Sequence, residues 1–165
     1  MHSNTIMHQL TTLLPRHQFD QAVIDHLGDR YVKKFSTWSQ LQVLLYAQAS
    51  GKVSLRDIQT DLATQRHKLY HLGLPEVKRS TLADANANRD WQMMEKLFYA
   101  LLERCQKMAP KHKFRFNNPV HCIDSTTIDL CLSLFPWAKF RTTKGAVKLH
   151  CQLDLRGHVP SFGVV

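Results

Sequence analysis

Val120-His121-Cys122-Ile123-Asp124-Ser125-Thr126-Thr127 reads as a short apolar strand that ends on an acid, followed by three hydroxyl residues. Downstream, Val147, Leu149, Cys151, Leu153 and Leu155 alternate with Lys148, His150, Gln152 and Asp154, a period of two that marks a second strand. Ile128, Leu130, Leu132 and Leu134 give another alternation, Arg156-Gly157-His158 a turn, and Val159 to Val165 a last strand. These segments predict three or four antiparallel strands with no helix to cover them, and a sheet with uncovered edges is rarely a finished fold. An acid at a strand end, with no basic residue beside it in sequence, is a candidate metal ligand. The same Asp124 also suits a turn or cap. Asp129, between Ile128 and Leu130, and Asp154, just before the turn, are rival acids with structural explanations of their own. Phosphoryl chemistry on metals takes two or three acids from separate elements.

Upstream of residue 117 the period is that of helices. Ile6 to Leu14 and Phe19 to Leu27 are amphipathic segments split by Pro15, the second ended by Gly28. Ser36 is an N-cap for a helix from Thr37 that places Trp38, Leu41, Leu45 and Gln48 on one face. Ser54 caps a helix through Ala63, and Ser80 is expected to cap another over 81–88. Asp90 caps the longest, with Trp91, Met94, Leu97, Phe98, Leu101, Leu102, Cys105 and Met108 as its apolar stripe up to Pro110. The turn-rich stretch Lys111 to Pro119 marks a domain boundary, with a helical domain over 1–116 and a strand domain from 117.

With 165 residues, 44% of them hydrophobic, the chain is large enough for a sizeable core. The net charge of +9 is uneven: residues 66–118 hold eleven Lys or Arg against five Asp or Glu. A basic middle after a nearly neutral start predicts a polyanion-facing surface, with nucleic acid the commonest partner. The N-terminus has neither the basic nor the apolar region of a signal peptide, and the most apolar stretch, Leu41 to Ala49, is too short to span a bilayer. The expected location is cytoplasmic, in association with the nucleoid, with no membrane partner. Cys105, Cys122, Cys131 and Cys151 show no C-x-x-C spacing and read as buried thiols, with zinc held by Cys122, Cys131, Cys151 and either His121 or His150 as the alternative. His67 and His71 have i, i+4 spacing but no third ligand beside them. Neither a Ser-His-Asp or Cys-His pattern nor a glycine-rich phosphate loop occurs.

The helices around Ser54-Leu55-Arg56-Asp57-Ile58 and Lys78-Arg79-Ser80-Thr81-Leu82-Ala83-Asp84-Ala85-Asn86 are joined by a basic connector, an arrangement similar to a helix-turn-helix. Arg66, Lys68, Lys78, Arg79, Ser80, Thr81, Asn86 and Arg89 are the candidate DNA contacts, being of the types that reach phosphates and base edges. A cap and a solvated charged face are the plainer explanation of the same residues. The run from Arg104 to Arg115, with five cations and no acid, is a second electropositive stretch.

Several motifs together resemble the DDE transposases of bacterial insertion sequences, of the insertion-sequence-four type. They are Phe35-Ser36-Thr37-Trp38, Ser54 to Ile58, Lys68-Leu69-Tyr70-His71-Leu72-Gly73, Arg79 to Asn86, Cys122 to Ile128, Phe135-Pro136-Trp137-Ala138-Lys139-Phe140 and Gly145-Ala146-Val147-Lys148-Leu149-His150. The resemblance implies an all-helical DNA-binding domain followed by the first antiparallel strands of a ribonuclease-H-like α/β catalytic domain. Its expected partner is double-stranded DNA at the element's terminal inverted repeats, with a homodimer as the synaptic form. Two Asp and one Glu of that family hold two divalent ions, Mg²⁺ or Mn²⁺, for in-line attack on a phosphodiester. Asp124 matches the first of those acids. The second Asp and the Glu are expected downstream of Val165, so this chain is expected to be the N-terminal part of a transposase and to lack strand cleavage by itself. A non-catalytic DNA-binding regulator of an intact transposase and a non-functional remnant are the alternatives.

Overall fold

The computed structural model describes residues 6–108, 120–130, 139–141, 144–155 and 159–164, and the chain divides into two compact units, Met1–Leu101 and Leu102–Val165. The boundary expected between residues 116 and 117 lies outside the described residues. Among the described residues, seven α-helices precede four strands: α1 Ile6–Thr12, α2 Arg16–Asp25, α3 Thr37–Ala49, α4 Leu55–Thr64, α5 Arg66–Leu69, α6 Arg79–Asn88 and α7 Gln92–Met108, then β1 His121–Leu130, β2 Lys139–Arg141, β3 Lys144–Asp154 and β4 Val159–Val164. A 3₁₀ turn, Tyr70–Leu72, follows α5 and ends at Gly73, whose φ of +65° is favourable for glycine.

The helical unit has two apolar clusters with α3 between them. Val43 and Ala47 pack with Ile58 and Leu62 of α4, Leu69, Val77, and Leu82 and Ala85 of α6. Leu41, with Trp38 and Leu45, packs with Phe19 and Val23 of α2 and with Met93 and Leu97 of α7. Phe19, Val43, Leu82 and Met93 are fully buried, and each contributes about 1.5–3 kcal/mol of apolar burial. A helix buried on two sides has no single apolar stripe. The one-face reading of α3 is therefore corrected: Trp38, Leu41 and Leu45 keep company, but Gln48 is exposed and Val43 and Ala47 carry the other face. The stripe of α7 is also corrected, because its most buried residue is Met93, whereas Trp91 and Met108 are exposed.

Local chemistry sets three of the helix starts. The Ser36 hydroxyl accepts from the Ser39 amide at 3.1 Å, the Ser54 hydroxyl accepts from Asp57 at 3.1 Å, and Asp90 accepts from the Gln92 amide at 2.9 Å. Helix α6 departs from the prediction. It begins at Arg79 after Lys78, which makes no side-chain cap, and the Arg79 amide donates instead to Gln59 of α4 at 2.8 Å. Ser80 thus lies inside the first turn and is not its cap. At the end of α2 the left-handed residue is Leu27, φ +51°, and Gly28 returns its amide to Val23 at 2.8 Å, the two-residue pattern of a Schellman terminus. Glycine is needed at 28 for space: a Cβ there meets the Met93 sulfur at 2.4 Å and the Thr37 hydroxyl at 3.1 Å.

In the second unit β1 and β3 pair antiparallel along their whole length, from His121 opposite Asp154 to Leu130 opposite Gly145. The other edge of β3 takes β2 at one end and β4 at the other, both antiparallel. The expectation of antiparallel strands holds, but β1 does not end at Asp124. It runs on through Ser125, Thr126 and Thr127 to Leu130, because β3 offers an unbroken ladder that hydroxyl residues join as readily as apolar ones. The alternating Leu132 and Leu134 lie outside the described residues. Among the described residues, no helix is long and apolar enough to cross a membrane.

Candidate nucleic-acid interface and acidic strand

Helices α4 and α6 pack together, and their first turns open on one shallow cleft of about 700 Å³ lined by Ser54, Arg56, Arg79, Ser80 and Asp84. Two helix N-termini contribute partial positive charge, and Arg56 and Arg79 add two exposed guanidinium groups. The Ser54 hydroxyl is already engaged, donating to the Asp57 carboxylate at 2.7 Å, whereas Ser80 and Thr81 stand exposed at the uncapped start of α6. Such an end favours an oxyanion. Arg56 was missing from the residues expected to meet DNA. Its position directly behind the Ser54 cap parallels that of Arg79 at the head of α6, but only the contact between the two helices brings them to one cleft.

The other predicted residues separate into groups. Lys78 and Thr81 line a wider groove against residues 26–35. Arg66 is exposed and 3.6 Å from Glu76, and Lys68 is exposed on α5. Asn86 accepts a hydrogen bond from Gln40 of α3 at 2.7 Å. Arg89 is drawn inward: its guanidinium donates to the Phe35 carbonyl, to the Ser36 carbonyl at 3.2 Å and to Gln40 at 2.9 Å. Burial lowers its pKa, and Asp29 at 3.8 Å works in the opposite sense. Arg89 and Asn86 therefore take part in the framework that fixes α6 against α3, while Asn86 remains exposed. His67 lies on α5 and His71 falls in the 3₁₀ turn, so no continuous α-helix carries the pair.

Asp124 sits in the middle of β1, exposed, opposite Cys151 of β3. One of its oxygens accepts the Ser125 amide at 2.7 Å. Alternation puts Cys122, Asp124, Thr126 and Ile128 on the same sheet face as Leu153, Cys151, Leu149 and Val147. Asp129, and Asp154 opposite His121, belong to the other face. Neither rival acid shares a face with Asp124, and among the described residues no group of three His, Cys, Asp or Glu is placed to hold a metal ion. A single carboxylate does not hold a divalent pair. Cys122 and Cys105 are exposed and Cys151 half-buried, all as free thiols, which corrects the expectation of buried cysteines; Cys131 lies outside the described residues.

The family model described as a domain of unknown function (DUF4372) matches residues 2–75, a span that holds α1 to α5 and stops short of α6 and Asp124. A probable transposase for insertion sequence element IS5377 of Geobacillus stearothermophilus is 28% identical over 78 residues, covering 47% of this chain. The matched stretch spans 20% of that relative's length. Among solved structures there is no match. The chain is thus similar in sequence to an insertion-sequence transposase.

Proposed function

We propose that this chain acts in DNA transposition, its helical unit binding duplex DNA at the terminal inverted repeats of an insertion sequence. The observation that carries the reading is the similarity to a probable transposase. The cleft between α4 and α6, with Arg56, Arg79 and Ser80 around two helix N-termini, supports it as a surface suited to phosphates. In this reading Asp124 is the first carboxylate of a ribonuclease-H-like DDE centre of the insertion-sequence-four type. With further acids it would hold Mg²⁺ or Mn²⁺, ions that stabilise charge on the attacking and leaving oxygens of phosphoryl transfer.

A second reading rests on the basic cleft alone: the chain binds DNA without cutting it and regulates an intact transposase. Mobility shift at several salt concentrations, on duplex from the element's ends and on random duplex, tests the binding common to both. Preference for the end sequence is expected, and equal affinity would leave only charge attraction. Strand cleavage in Mg²⁺ or Mn²⁺ that disappears in Asp124→Ala, with end binding intact, separates the catalytic reading from the regulatory one.

A further inference from the structure

Residues 26–35, between α2 and α3, form one wall of a groove of about 1050 Å³ whose other wall includes Lys78, Thr81 and Asn88 at the start and end of α6. Arg30, Lys33 and Lys34 all line it and are exposed. Lys33 and Lys34 are in no ion pair among the described residues, and Arg30 meets only the neighbouring Tyr31, donating to its hydroxyl at 3.1 Å with the guanidinium 4.9 Å from the ring centre. Three acids also face the groove. Glu76 is 3.6 Å from Arg66 and Asp90 is bound to His26 at 2.6 Å, which leaves Asp84 as the acid without a basic partner among the described residues.

The segment is anchored at both ends. Gly28 is wedged under Met93, the Asp29 carboxylate accepts both the amide and the hydroxyl of Thr37 at 2.6 and 2.8 Å, and Arg89 holds the carbonyls of Phe35 and Ser36. Between the anchors Tyr31 is 86% exposed with φ +61°, a conformation that costs a non-glycine residue on the order of 1 kcal/mol. A fixed arm that displays three cations toward a polar helix face needs little ordering when an anion enters.

We infer that Arg30, Lys33 and Lys34 form a phosphate-gripping arm that holds the backbone of duplex DNA in the groove against α6. This rests on the reading of the chain as a DNA-binding protein and adds to it a sequence-independent contact distinct from the cleft between α4 and α6. A lipid surface is the lesser fit, since the opposite wall is a polar helix face and a groove cannot lie flat on a bilayer.

The test uses the full 165-residue chain and fluorescent duplexes of end and random sequence, with affinity followed against salt. Each neutralised phosphate contributes about 0.9 to the slope of log K against log salt. Arg30→Gln/Lys33→Gln/Lys34→Gln is expected to lower that slope by about 2 to 3 on both duplexes and to leave their affinity ratio unchanged. A triple variant that melts like the wild type and keeps its slope overturns the arm and leaves the DNA reading standing; a wild-type chain that binds neither duplex overturns both. Should the triple variant unfold, Lys33→Gln/Lys34→Gln is expected to lower the slope by about 2, and an unchanged slope there counts against the arm in the same way. Arm-dependent binding to anionic vesicles, with DNA affinity unaffected, assigns the arm to a membrane and also overturns the proposal.

Discussion

Replacing Arg89 by alanine removes a cation that bridges the end of α6 to the start of α3. Its side chain is 11% exposed, and it donates to the carbonyls of Phe35 and Ser36 and to the Gln40 side chain. A hydrogen bond from a charged donor contributes about 1.5–3 kcal/mol net. The three together do not add fully, because a cavity left by arginine admits water to the orphaned acceptors. The ion pair with the half-exposed Asp29 at 3.8 Å adds little. The expected loss is about 3–4 kcal/mol, in the range for breaking a buried charged contact and a large part of the roughly 5–15 kcal/mol that holds a typical domain together. Urea unfolding followed by far-UV circular dichroism reads it, since helices α1 to α7 dominate that signal. Arg89→Lys is expected to rescue little, because one ammonium cannot span three acceptors. A loss below about 1 kcal/mol, with end-DNA affinity reduced as much as in Arg79→Ala, would show that Arg89 is a DNA contact and that its framework role has been misjudged.

Two further predictions concern the same unit. Gly28→Ala drives a methyl into the fully buried Met93 and is expected to destabilise by about 1–3 kcal/mol through overpacking, read from the urea midpoint; a neutral result would mean that Met93 yields freely. Burial, then the 2.5 Å bond to Asp61, pushes the Tyr46 phenol up to about 12, against about 10 in an unfolded chain. A raised pKa means that the stabilisation is fully present below about pH 10 and is lost as pH rises toward 12. Wild type is therefore expected to lose more stability over that window than Tyr46→Phe, and parallel curves would remove Tyr46 as the cause.

Local chemistry made part of this fold legible and long-range contact hid the rest. The caps Ser36, Ser54 and Asp90 act within three residues, and the alternation of β3 follows from its own side chains, so both are readable from neighbours alone. The start of α6 depends on Gln59 from another helix, and the length of β1 depends on a partner more than twenty residues away that carries Ser-Thr-Thr along the ladder. Asp124 was visible as an unusual acid, but its face and its distance from Asp129 and Asp154 required the register. Arg79 and Ser80, expected as DNA contacts, line the cleft between α4 and α6, whereas Arg56, Arg30, Lys33 and Lys34 come into view only when α4, α6 and residues 26–35 are placed together.

The most direct test of the central claim is the affinity of the 165-residue chain for duplex from the ends of the proposed element, measured beside Arg56→Gln/Arg79→Gln at matched salt. The account predicts that the wild type prefers end duplex to random duplex, and that the double variant, folded as judged by its melting curve, binds the end at least tenfold more weakly, the scale of about 1.4 kcal/mol for loss of two phosphate or base contacts. Equal binding of end and random duplex by the wild type, or an end affinity untouched by the double variant, would contradict it.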